Sequence, residues 1–356
     1  MSGGNDIGWP RWSWLRRLRD RPSSETLLGD VPPDLVRNID ENGSLVTVDA
    51  ADWLVCFVPG LTRQWWHRFV HPRHKHVFAM RPTGTGSWLL VEPWWTRMMV
   101  TILPPADAVR FLRWGATGDI LRVREAVPGT ASQIRGWSNC AVLSAFLLGR
   151  SSSVWTPHGL YRQLLREQST CHVDVHELLV DQFTKVVSQY SSNALCVGAD
   201  QLSLPLPELL VIIGRNLLET MMTPPLLEVC YTAILEADRF PDATRAYVQH
   251  GPKRAIAVLT KILERSRQNG ELGLADCEAG ARQFVAMLHG NIHLEAILQL
   301  RDIPTLSEID LRARAAVATF LDGVAPLKLK PIPRTTSTDA LLEMWLCFIE
   351  EANSGQ

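Results

Sequence analysis

The chain has almost no net charge: 36 Lys and Arg stand against 37 Asp and Glu over 356 residues. A molecule so balanced is not built, as a whole, to coat nucleic acid or an anionic membrane. No apolar run reaches the roughly 20 residues of a membrane span. The opening stretch, MSGGNDIGWPRWSW, lacks the apolar segment of a secretory leader. Cysteine is sparse, with seven in an odd, unevenly scattered set and no Cys-x-x-Cys. That excludes a disulfide framework and points to a reducing compartment, so a cytoplasmic protein with no membrane partner is expected. The Gly-rich phosphate loops and the Gly-x-Ser-x-Gly elbow are also missing, and TGTGSW suits a hairpin turn. No cofactor is expected, and no internal repeat is present.

What is present is unevenly distributed. Residues 1–168 hold 20 Lys and Arg against 14 Asp and Glu, or +6, while residues 169–356 hold 16 against 23, or −7. Twelve of the 13 tryptophans lie at or before Trp155. A joint shift in charge and aromatic content implies two units of different architecture, meeting near residue 170.

The fold class expected is an α+β N-terminal domain, a small antiparallel sheet with helices, followed by an all-α helical bundle. Residues 1–46, broken by GG, WP, RP and VPP, form a flexible arm. Its basic, aromatic WPRWSWLRRLRDR segment is either a solvated arm with docked tryptophans or a contact for an acidic or membrane surface. Residues 47–166 form the α+β domain. SLVTVDA, WLVCFVP, HVFAMRP, SWLLVEP and MMVTILP are short runs rich in Val, Ile, Trp and Phe, punctuated by Pro and Gly as strands are. A helix at ADAVRFLRWGA, a strand at ILRVREAV and a helix at NCAVLSAFLLG follow. TPHGLYRQLLREQ is a further helix, with Thr156 as N-cap and Pro157 in its first turn.

Residues 172–325 are helical by period, with apolar residues three and four apart. The expected helices are 175–195, 206–222, 224–240, 241–270, 274–300 and 306–324, with short loops as in a bundle. Residues 326–356 form a linker and a short C-terminal helix at 339–352.

Within the bundle, AILEADRFPDATRAYVQHGP stops one helix and starts another at Phe240-Pro241. Proline cannot continue the first helix but suits the first turn of the next. Phe240 is therefore a buried pivot, and Asp242 sits at the new helix's positive end. EADRFPDATRAYVQHGP, the Gly270-Glu271-Leu272 turn, the helix AGARQFVAMLHG and the closing AVATFLDGV resemble the C-terminal regulatory domain of TetR-type repressors of the AefR-like group. The resemblance runs from about residue 178 to 324. It implies an all-α unit that binds a hydrophobic small molecule and forms a homodimer through about 276–299 and 307–322.

Met221, Met222, Leu227, Tyr231, Phe284, Met287 and Leu288 offer adaptable apolar surface for a ligand, with His289 and Tyr231 as polar contacts. Each of these equally suits a core. QFTKVVSQY resembles the start of the family's linking helix. Such a repressor carries a helix-turn-helix reader before this point. Here the preceding segment is strand-rich, which puts direct DNA binding in doubt.

Three pieces of the N-terminal half carry chemistry. Cys140 opens a helix, where the dipole favours a thiolate. His76 starts one strand and Glu92 ends the next, so the hairpin turn at Gly84–Gly86 makes them cross-strand neighbours. Cysteine hydrolases need a thiol, an imidazole and a group that orients it. The order His, acid, Cys resembles circularly permuted papain-like domains of the NlpC/P60 type. It is also similar to small phage-encoded domains with an H-x-F, W-x-V-x-P, N-C and T-P-x-L-Y pattern, which Thr156, Pro157, Leu160 and Tyr161 continue. The family's usual acid is Asp or Asn, so Glu92 is a departure. His71, His74 and His76 are a second option as metal ligands, although their spacing suits a strand only in part.

Three functions therefore stand open. The chain is a small-molecule-sensing, dimerising regulator without the usual reader; a cysteine peptidase or amidohydrolase using Cys140, His76 and Glu92; or a gene fusion without a selected activity.

Overall fold

The structure, a computed structural model, describes residues 48–60, 68–94, 97–127, 129, 138–151, 155–196, 198 and 203–324. The expected arm at 1–46 and the expected helix at 339–352 lie outside them. The chain divides into two compact units after Leu178.

The first unit is one antiparallel sheet with helices on both faces. Its strands are β1 (Asp52–Val58), β2 (His76–Pro82), β3 (Trp88–Pro93), β4 (Met98–Leu103), β5 (Asp119–Arg124) and β6 (Cys171–His172). Their spatial order is β4-β3-β2-β1-β5-β6. Helix α1 (Pro105–Ala116) lies on the face of Cys56 and Phe78, where Trp114 stacks on Phe78 at 5.2 Å. Helices α2 (Cys140–Leu147) and α3 (Pro157–Leu164) cover the other face. There Ala141, Ala145, Leu148, Leu160 and Leu164 close over Val55, Phe57, Val77, Ala79, Val91, Leu121 and Val123. Full burial of each large apolar side chain stabilises the fold by about 1.5–3 kcal/mol. β4 is an edge strand whose outward row, Met98, Val100 and Ile102, stays exposed.

The second unit is all helix. It comprises α4 (Val175–Ala194), which starts just before the division, then α5 (Leu206–Met221), α6 (Pro224–Leu235), α7 (Pro241–His250), α8 (Pro252–Gln268), α9 (Cys277–His289), α10 (Ile292–Ile297) and α11 (Leu306–Val324). Its core joins Leu210, Ile213, Leu259, Leu263, Ala281, Phe284, Ala313 and Phe320, with the two Phe rings 5.4 Å apart. The Phe-Pro joint forms as expected: Phe240 is buried, its N–H donates to Glu236 O at 2.8 Å, and Pro241 starts α7.

Three expectations need correction. Residues 241–270 are two helices, because Gly251 takes φ −103°, ψ −99° and Pro252 restarts the helix. Residues 274–300 are also two, broken at Gly290, whose φ is +43°. Such a φ favours glycine, and a Cβ there would also displace the Arg312 guanidinium, 1.9 Å away. The strand expected at SLVTVDA is absent over Val48–Ala50, and the rest of that run lies outside the described residues. β5, the partner of β1, ends at Arg124, and the last bond between the two segments is Glu125 N to Ala51 O at 2.8 Å. Two-residue β6 is too short to show a period.

Candidate functional site

Strand register places several chemically active residues at one end of the sheet. β1 ends there, β2 begins there opposite it, β3 ends and β5 begins. His76 is the first residue of β2, and Glu92 lies near the end of β3, opposite Met99 of β4. A tight connection held by Thr83 N to Ser87 O at 2.9 Å, with positive φ at Gly84 and Gly86, fixes this hairpin. His76 Nε2 stands 3.1 Å from Glu92 Oε1, and the carboxylate is 2% exposed.

α2 packs on β2 and β3. Its first residue, Cys140, is in hydrogen-bonding contact with the His76 ring. The helix start is fixed by Asn139, whose side chain accepts from Val142 N at 3.0 Å and donates to Trp155 O at 2.7 Å. Trp155 directly precedes Thr156, the residue that caps α3 through Gly159 N at 3.0 Å. One amide side chain therefore ties the starts of both helices together. Trp94 and Trp114 flank the imidazole at 5.6 and 6.0 Å. Burial pulls the His76 pKa down, but hydrogen bonds that the ring donates to Cys140 and Glu92, together with their charges, outweigh it and raise it to about 9. His76 thus contacts both Cys140 and Glu92.

The neighbouring histidines do something different. His76 turns to Glu92, while His71 and His74 meet His158 from α3. Asp119, the first residue of β5, bonds His74. Neither His158 nor Asp119 was singled out from the sequence, because they lie more than 40 residues from His74 and only the fold joins them.

The ligand-binding residues expected in the helical unit scatter. Met221, Leu288 and His289 line an apolar pocket of about 50 Å³, together with Val187, Ser191, Leu217, Thr220, Tyr247 and Ala255. Met222 and Leu227 belong to a separate buried cluster with Leu218, Ala296 and Ile309. Phe284 is fully buried in the main core, and Tyr231 and Met287 are exposed. Burial, then the neighbouring His293 and Arg312, lowers the His289 pKa to about 4, so its ring is neutral. Burial, then contact with the Cys230 thiol, raises the Tyr247 hydroxyl.

Residues 208–323 match the AefR-like transcriptional repressor C-terminal domain. That match lies within the helical unit, from α5 to α11, and includes no residue of the sheet unit. Among solved structures, a putative TetR-family transcriptional regulator from Mesorhizobium loti MAFF303099 is 20% identical, covering 52% of this chain and 86% of that one, at TM-score 0.41. The flavonoid-responsive regulator FrrA is 22% identical, covering 55% and 90%, at TM-score 0.39. A TetR transcriptional regulator from Agrobacterium tumefaciens is 21% identical, covering 51% and 80%, at TM-score 0.36. No curated protein matches the chain. Among the described residues, no helix is long and apolar enough to cross a membrane.

Proposed function

We propose that this chain joins a cysteine-nucleophile hydrolase site to a TetR-type regulatory domain. The observation that carries the first part is the double contact of His76, to the Cys140 thiol on one side and the buried Glu92 carboxylate on the other. Glu92 takes Nε2, which leaves Nδ1 for the thiol.

In the reaction, Cys140 Sγ attacks an acyl carbon while the proton it shares with His76 sits on the ring. A C–S bond forms, and the carbonyl electrons move onto oxygen. The first turn of α2 leaves the Cys140 and Ala141 N–H groups without intrahelical acceptors, so they can face that oxyanion. Collapse breaks the bond to the amine or alcohol, which leaves with the His76 proton. Water then attacks the thioester, giving a proton to His76; the C–S bond breaks, the acid leaves, and Cys140 Sγ and His76 share that proton again. Glu92 holds the ring in one tautomer and balances its charge. Trp94 and Trp114 shield the ring from water.

The test is incubation with aryl esters and peptide anilides, followed by intact-mass analysis and peptide mapping. An acyl adduct on Cys140, absent from Cys140→Ser and slowed in His76→Ala, is the expected result. Hydrolysis or acylation unchanged in Cys140→Ser overturns the reading.

The helical unit is read as a small-molecule sensor and dimerisation domain working without the family's usual DNA reader. Supporting observations are the family match, the apolar pocket, and exposed Leu294, Leu298, Leu306 and Leu311 on α10, α11 and the turn before α11. Unpartnered apolar surface of this kind marks an interaction site. Sedimentation should give a dimer that Leu311→Glu dissociates, and a monomeric wild-type chain contradicts it. Gel shifts with genomic fragments should show no specific complex.

A further inference from the structure

We propose that His71, His74 and His158 form a three-imidazole site for a divalent transition-metal ion, with Zn²⁺ the best-suited occupant and Asp119 orienting one ligand. The site is independent of the hydrolase reading. One ring nitrogen from each histidine falls within 4.8 Å of the other two. His74 is buried at 1% exposure, and the other two are half-buried, so the cluster opens to solvent on one side.

Hydrogen-bond accounting points to an ion. His74 Nε2 lies 2.7 Å from Asp119 Oδ2. An ionised carboxylate only accepts, so Nε2 carries the proton and Nδ1 keeps a lone pair. That Nδ1 faces His158 Nδ1 at 2.9 Å, so without an ion the contact needs a proton on His158 Nδ1, whereas with one both nitrogens can turn a lone pair to it. His71 Nδ1 is buried with no hydrogen-bond partner. The His71 and His158 rings stack at 4.1 Å, 6° from parallel. Three imidazoles in contact, one nitrogen orphaned and two opposed, leave lone pairs that a single cation would satisfy together.

The surroundings suit that role. A carboxylate on the far nitrogen of a metal-binding histidine fixes the tautomer and raises ligand basicity; Asp119 is so placed, with Arg73 3.6 Å from the same oxygen. Metal–nitrogen bonds of about 2.0–2.1 Å place tetrahedral ligand atoms about 3.3 Å apart, so His74 and His158 need part by only a few tenths of an ångström. The fourth position would take water. Because His71 and His74 lie between β1 and β2 and His158 starts α3, the ion would clip that connection to the helix.

The experiment uses tag-free, full-length protein stripped with chelator and titrated with Zn²⁺ against a competing chromophoric chelator. Co²⁺ is added in parallel to read coordination from its visible bands. One equivalent of Zn²⁺ per chain and intense tetrahedral Co²⁺ bands without a thiolate charge-transfer band are expected. Both should vanish in His158→Ala, whose position on the outside of α3 leaves the core intact. Cys140→Ser and His172→Ala should keep them, and Asp119→Asn should weaken Zn²⁺ about 10- to 100-fold. Absence of stoichiometric binding, or binding that survives in His158→Ala, overturns the site.

Discussion

The two units solve opposite problems. The sheet unit gathers polar, ionisable side chains at one end of a core that is otherwise apolar: His76, Glu92 and Cys140 in one group, His71, His74, His158 and Asp119 in another. The helical unit shows an apolar pocket whose titratable groups, Tyr247 and His289, are pushed towards neutrality by burial. Strand ends converge from distant parts of a chain, so they bring together unlike groups. Parallel stretches of amphipathic helix bring together like ones. The proposed reaction chemistry accordingly lies in the first unit, and the proposed recognition of apolar surface in the second.

The sharpest way to break that division is Cys140→Ala. Acyl transfer should fall by at least about 10³-fold, while the dimer measured by sedimentation stays unchanged. Loss of both would mean the units are not separable in function.

Next in size is Phe284→Ala, which empties a fully buried site in the helical core. It should destabilise that unit by about 3–5 kcal/mol. Far-UV circular dichroism should report the loss. Tryptophan fluorescence, which comes almost wholly from residues up to Trp155, should keep its own transition. A shared shift in both signals would make the two units one cooperative body.

His289 sets a pH test. Its folded pKa of about 4 lies below the unfolded value of 6.5. The unfolded chain therefore binds the proton first as pH falls. Stability due to its neutral ring is complete above pH 6.5 and drains away between 6.5 and about 4, by roughly 2–3 kcal/mol. His289→Gln should flatten that slope in the helical signal; an unchanged slope places the acid sensitivity elsewhere.

The smallest effect expected is that of Asn139→Ala. Loss of the cap on α2 should cost about 1 kcal/mol. Because Asn139 also holds Trp155 O, acyl transfer should drop too. A stability loss with no kinetic change would limit the residue to capping.

Much of this was legible in the sequence for physical reasons. β1 to β4 follow the Pro- and Gly-bounded apolar runs, and α11 follows its three-and-four spacing from Leu306 to Val324. The Cys140–His76–Glu92 group was legible because a hairpin and a helix start constrain it locally. Two glycine breaks were missed, since the apolar period runs on across Gly251 and Gly290 while the backbone turns. The pocket lining was only partly legible. Periodicity says which face of a helix is apolar, not which residues lie against a void, and so Phe284 fell in the core and Met221 on the wall. His158 was illegible because 84 residues separate it from its partner His74.

The most direct test of the reactive end of the sheet is competition among the protein's own thiols. Cys171 and Cys196 are exposed, whereas Cys140 is half-buried. Limiting iodoacetamide at pH 6, followed by peptide mapping, compares all three in one tube. The His76 contact predicts that Cys140 is alkylated first and that His76→Ala removes its lead. Labelling in order of exposure, with Cys140 behind Cys171 and Cys196, would contradict the account.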